Sequence, residues 1–184
     1  GRKSGEYSPI FFDPEIWKAD MVEQGTFWLS DTPKKPGSMT WGNRVTRICS
    51  WARLIGKEGE SLYIYNTHWD HQSQPSREKA AELILKRVSE RKHSGAPVIL
   101  MGDFNATTAN PAIKTLIKSG ALVDHGGERQ KQTFNFWKPG LNEGLRIDHI
   151  FTSPLIKKAK IEVPAASDPV DSDHNPVILT FDGI

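Results

Sequence analysis

The sequence predicts a single mixed α/β domain, and three observations lead there. The apolar run Pro97-Val98-Ile99-Leu100-Met101, closed by Gly102, reads as a buried strand. Ahead of it, Ala81, Ile84, Leu85 and Val88 recur at helical spacing, so with the strand Ser61–Thr67 they make a strand–helix–strand unit. Elsewhere short strand-like segments dominate, with helices interspersed.

In chain order, residues 1–5 are polar and read as loop. Tyr7–Phe12 reads as a strand, broken by Asp13-Pro14. Glu15–Val22 alternates imperfectly and predicts a second strand, and Thr26–Leu29 a short aromatic third. Asp31–Asn43 carries prolines and glycines among polar residues, a long loop of the kind that is often functional. Arg44–Leu54 alternates, with Ile48, Ser50 and Ala52 on one side and Arg47, Cys49, Trp51 and Arg53 on the other. Lys57-Glu58-Gly59-Glu60 turns it into the Ser61–Thr67 strand. Ser76 can cap the first helix and Gly95 ends it. Asn110 and Pro111 open a second helix that stops at Gly120. Val123–Gly144 is polar with scattered aromatics; Leu145–Thr152, Ile161–Val163 and Pro176–Phe181 read as final strands. No repeat or linker divides residues 1–184, so they are read as one domain.

At 184 residues the chain can bury one sizeable core. Hydrophobic residues make up 37% and charged residues 25%, the balance expected of a soluble globular protein. A net charge of +2 argues against a strongly basic nucleic-acid binder and leaves room for local patches. Cys49 is the single cysteine, which excludes an internal disulfide framework. It sits in an apolar strand pattern, as a small core residue rather than a nucleophile. No apolar run approaches the ~20 residues that span a bilayer, and no signal peptide is visible. The chain lacks an initiator methionine and Gly1-Arg2-Lys3 reads as a cut end, so compartment and oligomeric state stay open.

Four clusters carry chemistry, each where a strand ends or begins. Asn66-Thr67-His68-Trp69-Asp70-His71 follows the Ser61–Thr67 strand. His68 can donate a proton or a hydrogen bond to a phosphoryl oxygen, or be a histidine satisfied by backbone. Asp103 and Asn105 lie beyond the carboxyl end of the 97–101 strand, where α/β folds keep ligand sites; the alternative is ordinary turn chemistry. In Arg146-Ile147-Asp148-His149-Ile150-Phe151 charged residues interrupt an apolar strand, and Asp148 needs a partner if it is buried. Ser172-Asp173-His174-Asn175-Pro176 precedes the last strand. Adjacent Asp and His point apart in extended chain, so Asp173 is assigned to a metal and His174 to base work toward another carboxylate. Together these residues suit hydrolysis in which a cation neutralises a phosphate and a carboxylate-held histidine activates water. Their oxygen-rich donors favour Mg²⁺ or Mn²⁺ over zinc. There is no Walker-type loop, no zinc-spaced Cys/His set and no Gly-x-Ser-x-Gly elbow.

Asn66-Thr67-His68, Gly102-Asp103-Phe104-Asn105, Arg146-Ile147-Asp148-His149-Ile150 and Ser172-Asp173-His174-Asn175-Pro176-Val177, in this order, resemble the endonuclease/exonuclease/phosphatase superfamily, the fold of deoxyribonuclease I. The resemblance runs from about Gly5 to Phe181. Gly5–Phe12, Phe27–Ser30 and Arg47–Ala52 further resemble its bacterial branch, which is similar to deadenylases of the carbon-catabolite-repressor type. The resemblance implies a four-layer α-β-β-α sandwich of two mixed sheets. It implies that His68 contacts the scissile phosphate, that Asp103 and Asn105 position or activate water and help hold metal, that Asp173 is a metal ligand, and that Asp148 orients His174. The base role falls jointly to Asp103 and the Asp148–His174 pair. Asn66 and Arg47 fall on the substrate side, and Arg47 reads equally well as a structural arginine.

Members of that superfamily open with a strand carrying an Asn, then a helix and a strand ending in a metal-binding Glu, all of which would precede Gly5. The chain therefore reads as the C-terminal two-thirds of the domain, short of one metal ligand and with a sheet edge open to association. Glu6 is read as a rim or substrate-side residue. The favoured function is an Mg²⁺- or Mn²⁺-dependent phosphoesterase acting on a diester or monoester. The alternative is a non-catalytic remnant that binds phosphorylated ligands or a partner chain. Nucleic acid, nucleotide, sugar and lipid phosphates all remain candidate substrates. Lys34-Lys35, Trp41, Arg44 and Arg47 offer a modest basic groove. Trp69, Phe136 and Trp137 could line a small pocket, although an aromatic pair such as Phe136-Trp137 is more often core.

Overall fold

The computed structural model describes residues 6–126, 132–138, 144–165 and 168–183. Its elements are β1 (Trp17–Trp28), β2 (Ile48–Gly56), β3 (Ser61–His68), α1 (Gln74–Ser89), β4 (Val98–Asp103), α2 (Pro111–Lys118), β5 (Val123–Asp124), β6 (Asp148–Thr152), β7 (Lys160–Glu162) and β8 (Ile178–Thr180). Six strands form one mixed sheet in the order β1-β2-β3-β4-β6-β5, and β7 pairs with β8 in a second sheet. Within the large sheet β3 and β4 run parallel, joined through α1, while the other neighbours are antiparallel.

Strand alternation assigns the two faces. Tyr63, Tyr65, Val98, Leu100 and Phe151 pack against Ala81, Ile84 and Val88 of α1 and Ile113 and Leu116 of α2. The residues between them, Leu62, Ile99 and Ile150, face Ile156, Ile161 and Leu179 on the β7–β8 side. Each fully buried Val, Leu, Ile or Phe among them contributes about 1.5–3 kcal/mol. The described residues thus stack helices, a mixed sheet and a second sheet. Cys49 is fully buried in the helix-side core, and burial pushes its thiol pKa up, as suits a packing residue.

Several boundaries differ from the sequence expectation. Tyr7–Phe12 is not a strand; Pro9 has no N–H to donate, and its carbonyl instead accepts from Asn66 Nδ2 at 2.8 Å. The segments 15–22 and 26–29 belong to one strand, β1, whose register breaks between Ala19 and Gln24. There Asp20 Oδ1 takes the N–H groups of Val22 and Glu23, which lets the strand bulge without losing its pairing to β2. The cap of α1 is Ser73 rather than Ser76, whose own N–H donates to Ser73 Oγ, and α1 ends at Ser89, short of Gly95. The cap of α2 is Asn110, as expected, with Pro111 in the first turn. β6 begins at Asp148, because the Ile147 and Asp148 N–H groups both go to Thr133 Oγ1, at 3.0 Å each. The reading of residues 1–5 as a loop and cut end lies outside the described residues, as does part of the polar stretch between Val123 and Gly144.

Candidate active site

Three adjacent strands line up the first three site residues. His68 pairs in register with Asp103, and Asp103 with Asp148. Alternation from Ile64, Met101 and Ile150 puts all three on the face turned toward the second sheet. The row depends on Gly102. Its φ is +141°, and a Cβ there would lie 1.9 Å from the Thr67 carbonyl oxygen, so no other residue fits between β3 and β4. Past the strand, Asn105 takes φ +46°, which asparagine tolerates, and its N–H donates to Asp103 Oδ1 at 2.8 Å. Its side-chain amide donates to the Trp69 carbonyl at 3.1 Å, locking the turn to the end of β3.

The fourth residue comes from the segment before β8. His174 Nδ1–H donates to Asp148 Oδ2 at 2.7 Å, so Asp148 has the partner that its burial required. Because Asp148 holds the proton on Nδ1, neutral His174 keeps its lone pair on Nε2, which lies 4.0 Å from Asp103 Oδ2. On the other side of Asp103, His68 Nε2 lies 3.2 Å from the same oxygen. Two imidazoles therefore converge on one carboxylate oxygen. The Asp148 hydrogen bond raises the His174 pKa above the ordinary histidine value, burial opposes this, and the charges of Asp148, Asp103 and Asp173 add to it. Burial pushes Asp103 up, but His68, the Asn105 N–H and His174 outweigh it and hold the carboxyl below the ordinary aspartate value.

The remaining predicted residues sit at the periphery. Glu6, more than half exposed, lies 3.3 Å from His68 Nδ1 and pairs with Arg47 Nη1. Arg47 itself is buried and its Nη2 donates to His71 Nδ1 at 3.3 Å. Asn66 holds the segment that carries Glu6, through Pro9. Asp173 follows Ser172 on the same turn as His174, but its carboxylate is not among the groups clustered around Asp103. Trp69 is not a pocket wall; it is fully buried, edge-on to Phe104 at 4.7 Å. Phe136 and Trp137 are not core; they are 49% and 60% exposed.

Sequence reasoning missed two supporting residues. Thr133 is fully buried and anchors the start of β6. Asn135 Nδ2 donates to the Ser172 carbonyl at 3.0 Å and to Asn175 Oδ1 at 2.9 Å, and its backbone N–H donates to the Asp173 carbonyl at 2.7 Å. It thereby holds both flanks of His174. Neither Thr133 nor Asn135 carries a local signal, because polar residues between apolar segments read as loop.

The ligand atoms of Asp103, Asp148 and His174 all lie within 4.8 Å of one another. Two carboxylates and an imidazole in that span fit a divalent cation that prefers oxygen with some nitrogen. No helix among the described residues is long and apolar enough to cross a membrane.

A family model described as the Endonuclease/Exonuclease/phosphatase family matches residues 10–174. Among solved structures, the chain is similar to a mannosyl-6-phosphatase of Bacteroides thetaiotaomicron, with 30% identity and a TM-score of 0.78, covering 92% of this chain and 69% of that one. It is similar to an endonuclease/exonuclease/phosphatase from Bacteroides vulgatus, with 28% identity and a TM-score of 0.85, covering 99% and 73%. The catalytic domain of human Nocturnin shares the fold at 20% identity and a TM-score of 0.64, covering 92% and 62%. A search of curated proteins gives no match.

Proposed function

The chain belongs to the endonuclease/exonuclease/phosphatase family, and on that premise we propose that it is a divalent-cation-dependent phosphoesterase. The convergence of His68 and His174 on Asp103, with His174 held by Asp148, supports this reading most directly. In it, His174 Nε2 takes the proton from water as that water attacks phosphorus, and Asp148 stabilises the imidazolium that forms. His68 donates a hydrogen bond to a phosphoryl oxygen, and Asn105 keeps Asp103 in place. Asp103, with Asn105 beside it and Asp173 from the turn that carries His174, would hold Mg²⁺ or Mn²⁺. A cation there would supply charge neutralisation for the phosphoryl group and its leaving oxygen. Arg47 and Asn66 serve the substrate side, Arg47 through Glu6 at the rim. The substrate is a phosphorylated organic ester; the mannosyl-6-phosphatase likeness makes a sugar phosphate one of the first to try.

Hydrolysis of bis(p-nitrophenyl) phosphate and p-nitrophenyl phosphate tests the proposal, with Mg²⁺, Mn²⁺ or EDTA and with His174→Ala. We expect cation-dependent turnover that falls about 10²–10⁴-fold in the variant, the range for losing a general base. Turnover that ignores EDTA, or that survives the substitution, would overturn it.

A further inference from the structure

We propose that Asp124 is a positioning residue of the hydrolytic centre: through its ion pair with Arg146 it sets where Asp148 stands, and so how His174 is aimed. This rests on the phosphoesterase reading and adds to it a residue outside the four sequence clusters. Arg146 Nη1 donates to Asp124 Oδ2 at 3.1 Å and Nη2 donates to Oδ1, a fork on both carboxylate oxygens. The Arg146 and Asp124 side chains are 9% and 6% exposed, against 27% for His174 and 32% for His68, so the pair is closed off from substrate. Arg146 stands two residues ahead of Asp148, at the entry to β6.

The anchor is fixed on its own side. Val123 and Asp124 pair with Thr152 and Phe151 of β6, His125 Nε2 lies 2.6 Å from Thr152 Oγ1, and Asp124 Oδ1 also accepts the Gly126 N–H at 3.0 Å. The segment that it holds has no such ladder, because residues 145–147 belong to no strand. Thr133 Oγ1 takes the N–H groups of Ile147 and Asp148, and the Ile147 carbonyl accepts the Phe104 N–H at 2.9 Å. Phe104 lies between Asp103 and Asn105, so this short segment links both carboxylates of the centre. Arg146 adds a tie of fixed direction, since a planar guanidinium on two carboxylate oxygens resists rotation as a single hydrogen bond does not. Stability is a poor reason for such a pair, because each buried charge gives up its hydration and pairing roughly cancels that cost. Orientation is the better reason. His174 Nδ1–H reaches Asp148 Oδ2 at 2.7 Å, and a carboxylate displaced by about 1 Å would swing Nε2 off the attacking water, a loss of about 10²-fold in rate.

The test uses Asp124→Asn, which keeps the shape and loses the charge, and Arg146→Lys, which keeps the charge and loses the fork. In hydrolysis of p-nitrophenyl phosphate with Mg²⁺, each is expected to lower kcat about 10–100-fold and to leave KM within about twofold. In an Asp148→Asn background the same substitutions should lower kcat by no more than about twofold, because the hold through which they act is already lost. Effects that multiply in the double variants, or a loss confined to KM, would overturn the proposal. A second readout needs no turnover. In proton NMR of the wild type the His174 Nδ1–H resonance is expected far downfield, identified by its absence from His174→Gln. It should shift, or vanish into exchange with water, in Asp124→Asn and Arg146→Lys. Its absence from the wild type, its persistence unchanged in both variants, or loss of the folded state in both by urea unfolding would overturn the positioning role. A wild type without turnover sinks the hydrolase, and the resonance then decides the positioning role by itself. Wild-type turnover with kcat unchanged in both variants sinks the positioning role alone.

Discussion

Two histidines show how environment divides one residue type into two jobs. His174 touches Asp148, and that hydrogen bond raises its pKa, as the proposed role of base requires. His149 is its opposite. It is fully buried between Phe104 and Phe151, its Nε2–H donates to the Ala106 carbonyl at 2.8 Å, and its Nδ1 has no partner among the described residues. Burial pushes its pKa down to about 4. The unfolded chain takes up this proton near pH 6.5, while the folded one waits until about pH 4. Stability therefore falls as pH drops through that window, by about 1.4 kcal/mol per unit and about 3 kcal/mol in all. His149→Gln keeps an N–H for Ala106 and removes the titration. Urea unfolding from pH 7 to pH 4 should show a shallower fall, by about one proton; an unchanged slope would assign the acid sensitivity elsewhere. His68, Asp103, Asp148 and His174 were legible one residue at a time, because each ionisable group interrupts or ends an apolar pattern. The part that Glu6 plays was not, since its contacts with Arg47 and His68 depend on a path between distant segments that no local pattern records.

Elements were legible where their signals are local. Asn110-Pro111 announces α2 because cap and first turn are neighbours in sequence. Tyr7–Phe12 has the composition of a strand but no partner to pair with among the described residues, and pairing is what makes a strand. β1 was split in two because its bulge breaks the alternation that identifies a continuous strand. The start of β6 belongs to the same class, since it depends on a side chain in a distant segment. Thr133→Val retains the shape and strands one buried and one part-buried N–H group, at a cost of about 2–4 kcal/mol. Thr133→Ser should recover most of that in urea midpoint. If valine and serine behave alike, the hydroxyl is not the anchor described here. Turnover should follow the same order as stability, because Asp148 is the second of the two anchored residues.

The whole molecule sets a helix layer and a second sheet on opposite faces of one mixed sheet; the continuous apolar run of β4 pointed to a buried strand, and the family resemblance implied the layers. What they did not announce was the strand order, in which β6 inserts between β4 and β5. That insertion brings Asp148 beside Asp103, and no sequence period encodes it. The parallel pairing of β3 with β4 has a consequence in time. The two strands cannot meet until the intervening segment with α1 has crossed over, and β6 must then arrive from far along the chain. The four groups of the centre are therefore assembled late, after the β1–β2–β3 antiparallel ladder has had the chance to form from near neighbours. In stopped-flow refolding from urea, tryptophan fluorescence should recover in part before any hydrolysis returns, and hydrolysis should track the slowest phase. Activity that returned with the first phase would mean that the centre forms on a fragment of the sheet. A nascent chain would thus carry much of its hydrophobic ladder for a while before it could harm or help any phosphate ester in its surroundings.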